Sequence, residues 1–287
     1  MRVSQIGKRG LVFAFEDPYP TNVYVIIGDK QLFVCDTFCG PESMKDVADY
    51  LDKHGHKDLP AVVFNSHSHY DHIWGNSFFG NVLILSHHEC PRLIEQEGPK
   101  ALLDYQLHME GDVELVLPNT TFSSRVLFAE EEVEFFHSPG HTVDSSSCYD
   151  HKDRILFVSD NIESPLPYLY QPDLQQYIDT LNGYLNRSWN FLVAGHDPVS
   201  GNDSLIHENR DYLIKLKDWT LLFSDLPERA HQQHLQNILF LAEMIEADTR
   251  SDKMVVHFED AINHLKSINE TARTKQLQHK LELVIRK

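Results

Sequence analysis

The stretch "NSHSHYDHIWGN", residues 65–76, places His67, His69, Asp71 and His72 in one short loop. Imidazole and carboxylate donors together suit zinc and other divalent transition metals. A lone histidine is usually a surface group or a satisfied core group. Four ligand-type side chains this close together are a different matter. His67 and His69 alternate and can converge on one ion. Asp71 and His72 follow, where the chain begins to turn toward a helix, and could serve a second.

Partners stand elsewhere in the chain. "HSPGHTVDSSS" holds His141 in a Pro-Gly turn, "RILFVSD" ends on Asp160, and "NFLVAGHD" carries His196. Each sits where an apolar strand gives way to a loop, the place where α/β proteins gather ligands and catalytic groups. Other candidates read more plainly. His87 and His88 are solvated or capping groups at a helix start, and His231 and His234 are surface groups on a helix. Tyr70, Trp74, Tyr168 and Tyr170 read as core aromatics before cleft-lining ones.

These residues need rigid strands to position them. "LVFAFE" (11–16), "NVYVII" (22–27) and "LFVCDT" (32–37) read as strands, the last two joined by a turn at 28–31. A helix is expected over 41–55, with Pro41 at its start and Met44, Val47, Ala48 and Leu51 on its apolar face. "LPAVVFN" (59–65) is a buried strand that runs into the histidine loop. A strand at 80–86 then leads to a helix, with Ser86 and Glu89 at capping-box spacing. Strands follow near 112–117, 120–128, 132–136, 146–149 and 154–158, then a helix at 173–186 and a strand at 190–196. Residues 203–223, 227–247 and 256–286 are helical in pattern, with an apolar stripe at Leu235, Ile238, Leu239, Ala242 and Ile245.

The order HxHxDH, "SPGHT", "SD" after an apolar strand, and "AGHD" resembles the metallo-β-lactamase-fold superfamily of hydrolases, over roughly residues 10–200. The resemblance implies an α/β chain, a four-layer αββα sandwich with a helical C-terminal extension. It would place a catalytic domain at 1–202 and the extension at 203–287. It implies two divalent metal ions, zinc foremost, with iron or manganese as options. His67, His69 and His141 would hold the first ion, Asp71, His72 and His196 the second, and Asp160 would bridge them. A metal-bridging hydroxide would then attack the substrate, and Asp71 would orient it and pass a proton to the leaving group. The branch resembled is that of glyoxalase II-like thioesterases and lactonases. True β-lactamases of the superfamily typically lack the bridging aspartate. The leading reading is hydrolysis of a small-molecule ester, thioester or lactone. Behind it stand a small-molecule phosphodiesterase, an iron-dependent oxidoreductase of the persulfide dioxygenase type, and a binding module without turnover.

Composition narrows the partners. A formal net charge of −18 repels phosphate backbones, which argues against nucleic acid. No secretory signal or membrane-length apolar run is visible. Four cysteines make no disulfide framework, and Cys35, ending an apolar strand, reads as a buried structural thiol. The expectation is a cytoplasmic enzyme acting on a small molecule, with no nucleic acid or membrane partner. The C-terminal helices would roof the cleft or form a homodimer contact.

Overall fold

The computed structural model describes residues 1–244 and 252–285. Seven strands form one sheet in sequence order: β1 (Arg2–Ile6), β2 (Gly10–Phe15), β3 (Thr21–Ile27), β4 (Leu32–Cys35), β5 (Ala61–Phe64), β6 (Leu83–His87) and β7 (Thr120–Phe122). The first four pair antiparallel through short turns. The rest are parallel, and parallel pairing requires longer crossovers. Those crossovers carry α1 (Pro41–Lys53), α2 (Tyr70–Ile73) and α3 (Cys90–Asp104). The second sheet has the order β12-β11-β10-β9-β8. Its strands are β8 (Arg125–Phe128), β9 (Val133–His137), β10 (Ser146–Asp150), β11 (Ile155–Ser159) and β12 (Phe191–Ala194).

Alternation along the strands builds two apolar layers. Tyr24, Phe33, Cys35 and Phe64 face Phe135, Cys148, Phe157 and Val193 of the second sheet. Val23, Val25, Val34 and Val63 share the other layer with Met44, Val47 and Leu51 of α1. The central strands are thus buried on both faces, which is why they read as continuous apolar runs. Phe64 and Phe135 meet across the sheets with ring centroids 4.5 Å apart. Truncating either to alanine would cost roughly 3–5 kcal/mol. This packing brings the ends of β4, β5, β11 and β12 to one rim.

Several local expectations fail. Ser86 lies in β6 and its hydroxyl donates to the His87 carbonyl, so it caps nothing. The helix begins at Cys90 instead, with a proline in its first turn. Residues 112–117 form no strand, and 120–128 divides into β7 and β8, in different sheets. His87 is not solvated. It is buried at the end of β6 and stacks on His137 at 3.8 Å. All four cysteines are buried free thiols.

The chain forms two compact units, Met1–Ile162 with Arg187–Asp203, and Glu163–Asn186 with Ser204–Lys287. The second unit thus takes in the segment 163–186 together with the C-terminal helices. The second unit contains α4 (Leu174–Leu185), α5 (Ser204–Lys217), α6 (His231–Met244), α7 (Asp252–Ser267) and α8 (Thr271–Ile285). Asp173 caps α4 by accepting from Gln176 N at 2.9 Å. Leu235, Ile238 and Ala242 pack with Phe258, Leu265 and Leu277, and Leu239 packs at the edge. Ile245 of the expected stripe lies outside the described residues. The helical pattern at 256–286 belongs to two helices, α7 and α8. His234 is no surface residue. It is fully buried, with Nδ1 3.0 Å from the Tyr212 hydroxyl. Among the described residues, no helix is long and apolar enough to cross a membrane.

Candidate metal centre

The histidine loop is pinned at both ends. Asn65 and Asn76 exchange side-chain amide hydrogen bonds of 3.0 and 2.9 Å, and the Thr37 hydroxyl donates to Asn76 Oδ1 at 3.0 Å. β5 delivers His67 to the rim, and the short α2 turns Asp71 and His72 inward. His141 follows β9, with its backbone N–H donating to Asn161 Oδ1 at 2.9 Å. Asp160 and His196 follow β11 and β12, which pair in parallel and so end side by side.

All seven expected residues come together in two groups. His67, His69, His141 and Asp160 form one, and Asp71, His72 and His196 the other; within each, the donor atoms lie within 4.8 Å of one another. Asp160 Oδ2 lies 3.2 Å from His196 Nε2 and 3.3 Å from His72 Nε2. It also lies 3.7 Å from His67 Nε2 and 3.7 Å from His141 Nε2. It therefore stands between the groups. Asp71 Oδ2 lies 3.3 Å from His72 Nε2 and 3.5 Å from His196 Nε2. His141 Nε2 is 3.1 Å from His69 Nδ1.

The donor set fits divalent cations. Metal–ligand bonds of about 2.0–2.1 Å in a tetrahedron put neighbouring donors roughly 3.3 Å apart, close to the separations here. His67 Nε2 is buried and has no hydrogen-bond partner among the described residues. Buried polar atoms are rarely left so without a ligand.

The far sides of three rings are engaged. His72 Nδ1 lies 2.7 Å from Asp36 Oδ2, and His196 Nδ1 2.7 Å from the Pro20 carbonyl. Neither acceptor carries a proton of its own, so Nδ1–H donates and the Nε2 lone pair points inward. His67 Nδ1 meets the Ser66 hydroxyl at 2.9 Å. Asp36 does more. It accepts from Ser66 N at 2.7 Å, from Ser66 Oγ at 2.8 Å and from Ser159 Oγ at 3.0 Å. It thereby ties the two sheets together behind the site. Asp36 and Ser159 both sit in the left-handed region, with φ of 64° and 47°. That conformation costs roughly 1–2 kcal/mol per residue and is held by the surrounding bonds.

The electrostatics are those of an electron-rich pocket. Burial pulls His72 down, but Asp160, Asp71 and Asp36 outweigh it and hold the imidazole well above its usual value. Burial likewise opposes His196, yet Asp160 raises it to about 10. Burial would raise Asp71, and His72 and His196 instead keep it below the usual carboxylate range. Burial and neighbouring imidazoles push His67 well below its usual value. Three clustered carboxylates call for positive charge, which protons or cations can supply.

Asp36 is the supporting residue the sequence reading passed over. Its signal is a carboxylate at the end of the apolar strand in "LFVCDT", where only Cys35 drew notice. His137 belongs to neither group; its Nε2 meets the Val143 carbonyl at 2.9 Å. Trp74 is fully buried core, as expected. Tyr70 is half-buried, and its hydroxyl lies 2.5 Å from that of Tyr19. Tyr168 and Tyr170 fall in the second unit.

Known proteins share this architecture. A metallo-beta-lactamase from Pontibacter korlensis superposes with a TM-score of 0.61 at 18% identity, covering 74% of this chain and 98% of that one. The DIM-1 metallo-beta-lactamase exposed to ceftazidime gives 0.61 at 15% identity, covering 75% and 97%. At such identities the likeness is one of fold. A curated protein described as putative transcription factor avaE, from Aspergillus versicolor, is 29% identical over 136 residues, 43% of this chain and 40% of its own length. The chain thus matches well under half of that relative. The family model "Metallo-beta-lactamase superfamily" matches residues 17–224. That span holds both sheets from β3 onward and all seven gathered side chains, and the chain belongs to the metallo-beta-lactamase superfamily.

Proposed function

We propose that the protein is a dinuclear metal-dependent hydrolase that cleaves a small-molecule ester, thioester or lactone. The superfamily is largely hydrolytic and typically binds divalent metals. The observation that carries the reading is Asp160 Oδ2, within 3.7 Å of four imidazole nitrogens, two from each group. One carboxylate shared by two donor sets is the arrangement a bridged pair of ions requires. His67, His69 and His141 would hold one ion, and Asp71, His72 and His196 the other. Nitrogen and oxygen donors without sulfur suit zinc, and also iron or manganese.

Bound divalent ions would supply Lewis acidity and water with a pKa lowered to about 7. The chain's own groups do the rest. Asp71 stays ionised beside His72 and His196, so it can accept a proton and return it to the leaving group. Asp36, Pro20 and Ser66 fix the imidazole tautomers. The net charge of −18 favours neutral acyl substrates over polyanions.

Elemental analysis of the purified protein, with a panel of esters, thioesters, lactones and phosphodiesters, tests this. Two equivalents of metal and acyl hydrolysis that Asp71→Ala abolishes are expected. One iron per chain with oxygen uptake on a persulfide would overturn it.

A further inference from the structure

Three stretches of chain meet beside Asp71 and His196, and the proposed chemistry uses none of their side chains. The first is 19–21. Its Pro20 carbonyl holds His196, and the Tyr19 ring lies 5.5 Å from the His196 ring. The second is Tyr70, next to Asp71 in the ligand loop. The third is 105–108, after α3. Their polar atoms form a line: Tyr19 Oη is 2.5 Å from Tyr70 Oη, and Tyr70 Oη is 2.9 Å from His108 Nδ1. Tyr70 also stacks on Tyr105 at 4.2 Å and 13°, and Tyr105 stays 42% exposed.

Packing does not ask for this line, since phenylalanine would fill either tyrosine's ring space. Two phenols and an imidazole in sequence are useful when the end group must present a defined hydrogen bond. With the proton on His108 Nδ1, each group donates to the next, and the Tyr19 proton is left for a third oxygen. Both tyrosines are half-buried, at the boundary between the ligand groups and solvent.

We propose that Tyr19, backed by Tyr70 and His108, is a substrate-binding residue whose hydroxyl donates to an oxygen of an arylacyl substrate lying along Tyr105. The substrate class rests on the hydrolase reading above; the binding role of Tyr19 does not. The Tyr70–Tyr105 stack continues from the ligand loop and leaves part of Tyr105 exposed to an aromatic group. A carbonyl on that group would then lie beside Tyr19.

The test uses the zinc-loaded full chain and phenylacetate, the acid an arylacyl ester would release, titrated by calorimetry. Tyr19→Phe should weaken phenylacetate binding about tenfold, the loss expected for one hydrogen bond to a charged group. Its zinc content should stay that of the parent. His108→Ala, which replaces no candidate ligand, should weaken binding about threefold through the same line. On arylacyl thioesters, Tyr19→Phe should raise KM more than it lowers kcat. If phenylacetate does not bind the parent, or binds parent and both variants alike, the proposal is overturned. If Tyr19→Phe fails to fold, His108→Ala alone decides. A parent that binds phenylacetate through Tyr19 yet hydrolyses nothing would sink the hydrolase reading and leave this one standing.

Discussion

Asp36 Oδ2 lies 2.7 Å from His72 Nδ1, and both side chains are fully buried. The contact sets the tautomer of a candidate ligand and, through Ser66 and Ser159, joins two sheets. Asp36→Ala should therefore lower affinity at one metal position by about 10–100-fold. It should also destabilise the fold by roughly 3–5 kcal/mol, because a buried partner is left exposed to no replacement. Chelator competition and denaturant unfolding read the two effects. Unchanged affinity would remove Asp36 from the site's support.

Stripping metal should lower thermal stability. The gathered donors come from loops of both sheets, and a ligand present at a thousand times its Kd stabilises by about 4 kcal/mol. At about 2–4 °C per kcal/mol, the midpoint should drop by roughly 10 °C with chelator and recover with zinc. Calorimetry with and without chelator measures it. An identical midpoint in both would mean that no metal was bound.

Gly195→Ala should damage the site without replacing a ligand. A β-carbon there would collide with Asp160 Oδ1 and crowd His72 Cε1. Asp160 would have to shift, so metal content and activity should fall together while the circular dichroism stays that of the parent. Full metal loading in the variant would show that Asp160 tolerates displacement.

His234 makes the helical unit acid-sensitive. Burial, then His257, His231 and His264, lower its pKa to about 3 in the folded chain. The unfolded chain takes up that proton near pH 6.5. The folded pKa is the lower one, so the stability this residue contributes is complete above about pH 6.5 and is lost as the pH falls toward 3. Each pH unit in that window costs up to about 1.4 kcal/mol. His234→Asn should flatten the dependence of the urea midpoint between pH 7 and 5. An unaltered slope would assign acid lability elsewhere.

The ligand loop was legible because its meaning is local: donor types at short spacing after an apolar strand. The two layers of the strands were legible as apolar runs for the same reason. Asp36 and the Pro20 carbonyl were not, since their partners lie far away in sequence and a backbone carbonyl has no residue type. His234 was misread because histidine on a helix usually faces water. Here Tyr212 and Phe223 enclose it, with the Phe223 ring 4.8 Å away. Ser86 had the spacing of a cap but was already committed to strand pairing, and tertiary register outweighs a local motif.

The order of the gathered residues along the chain has a consequence during synthesis. His67 to His72 leave the ribosome early, and His196 comes from the last strand. At about 5–20 residues per second, the interval is on the order of ten seconds. For part of that time the nascent chain displays its densest set of donors before His141, Asp160 and His196 have been made. A metal captured before His141 emerges would be held only by the loop and could still exchange. The choice of ion would become durable only when β12 docks beside β11 and brings His196 to Asp160.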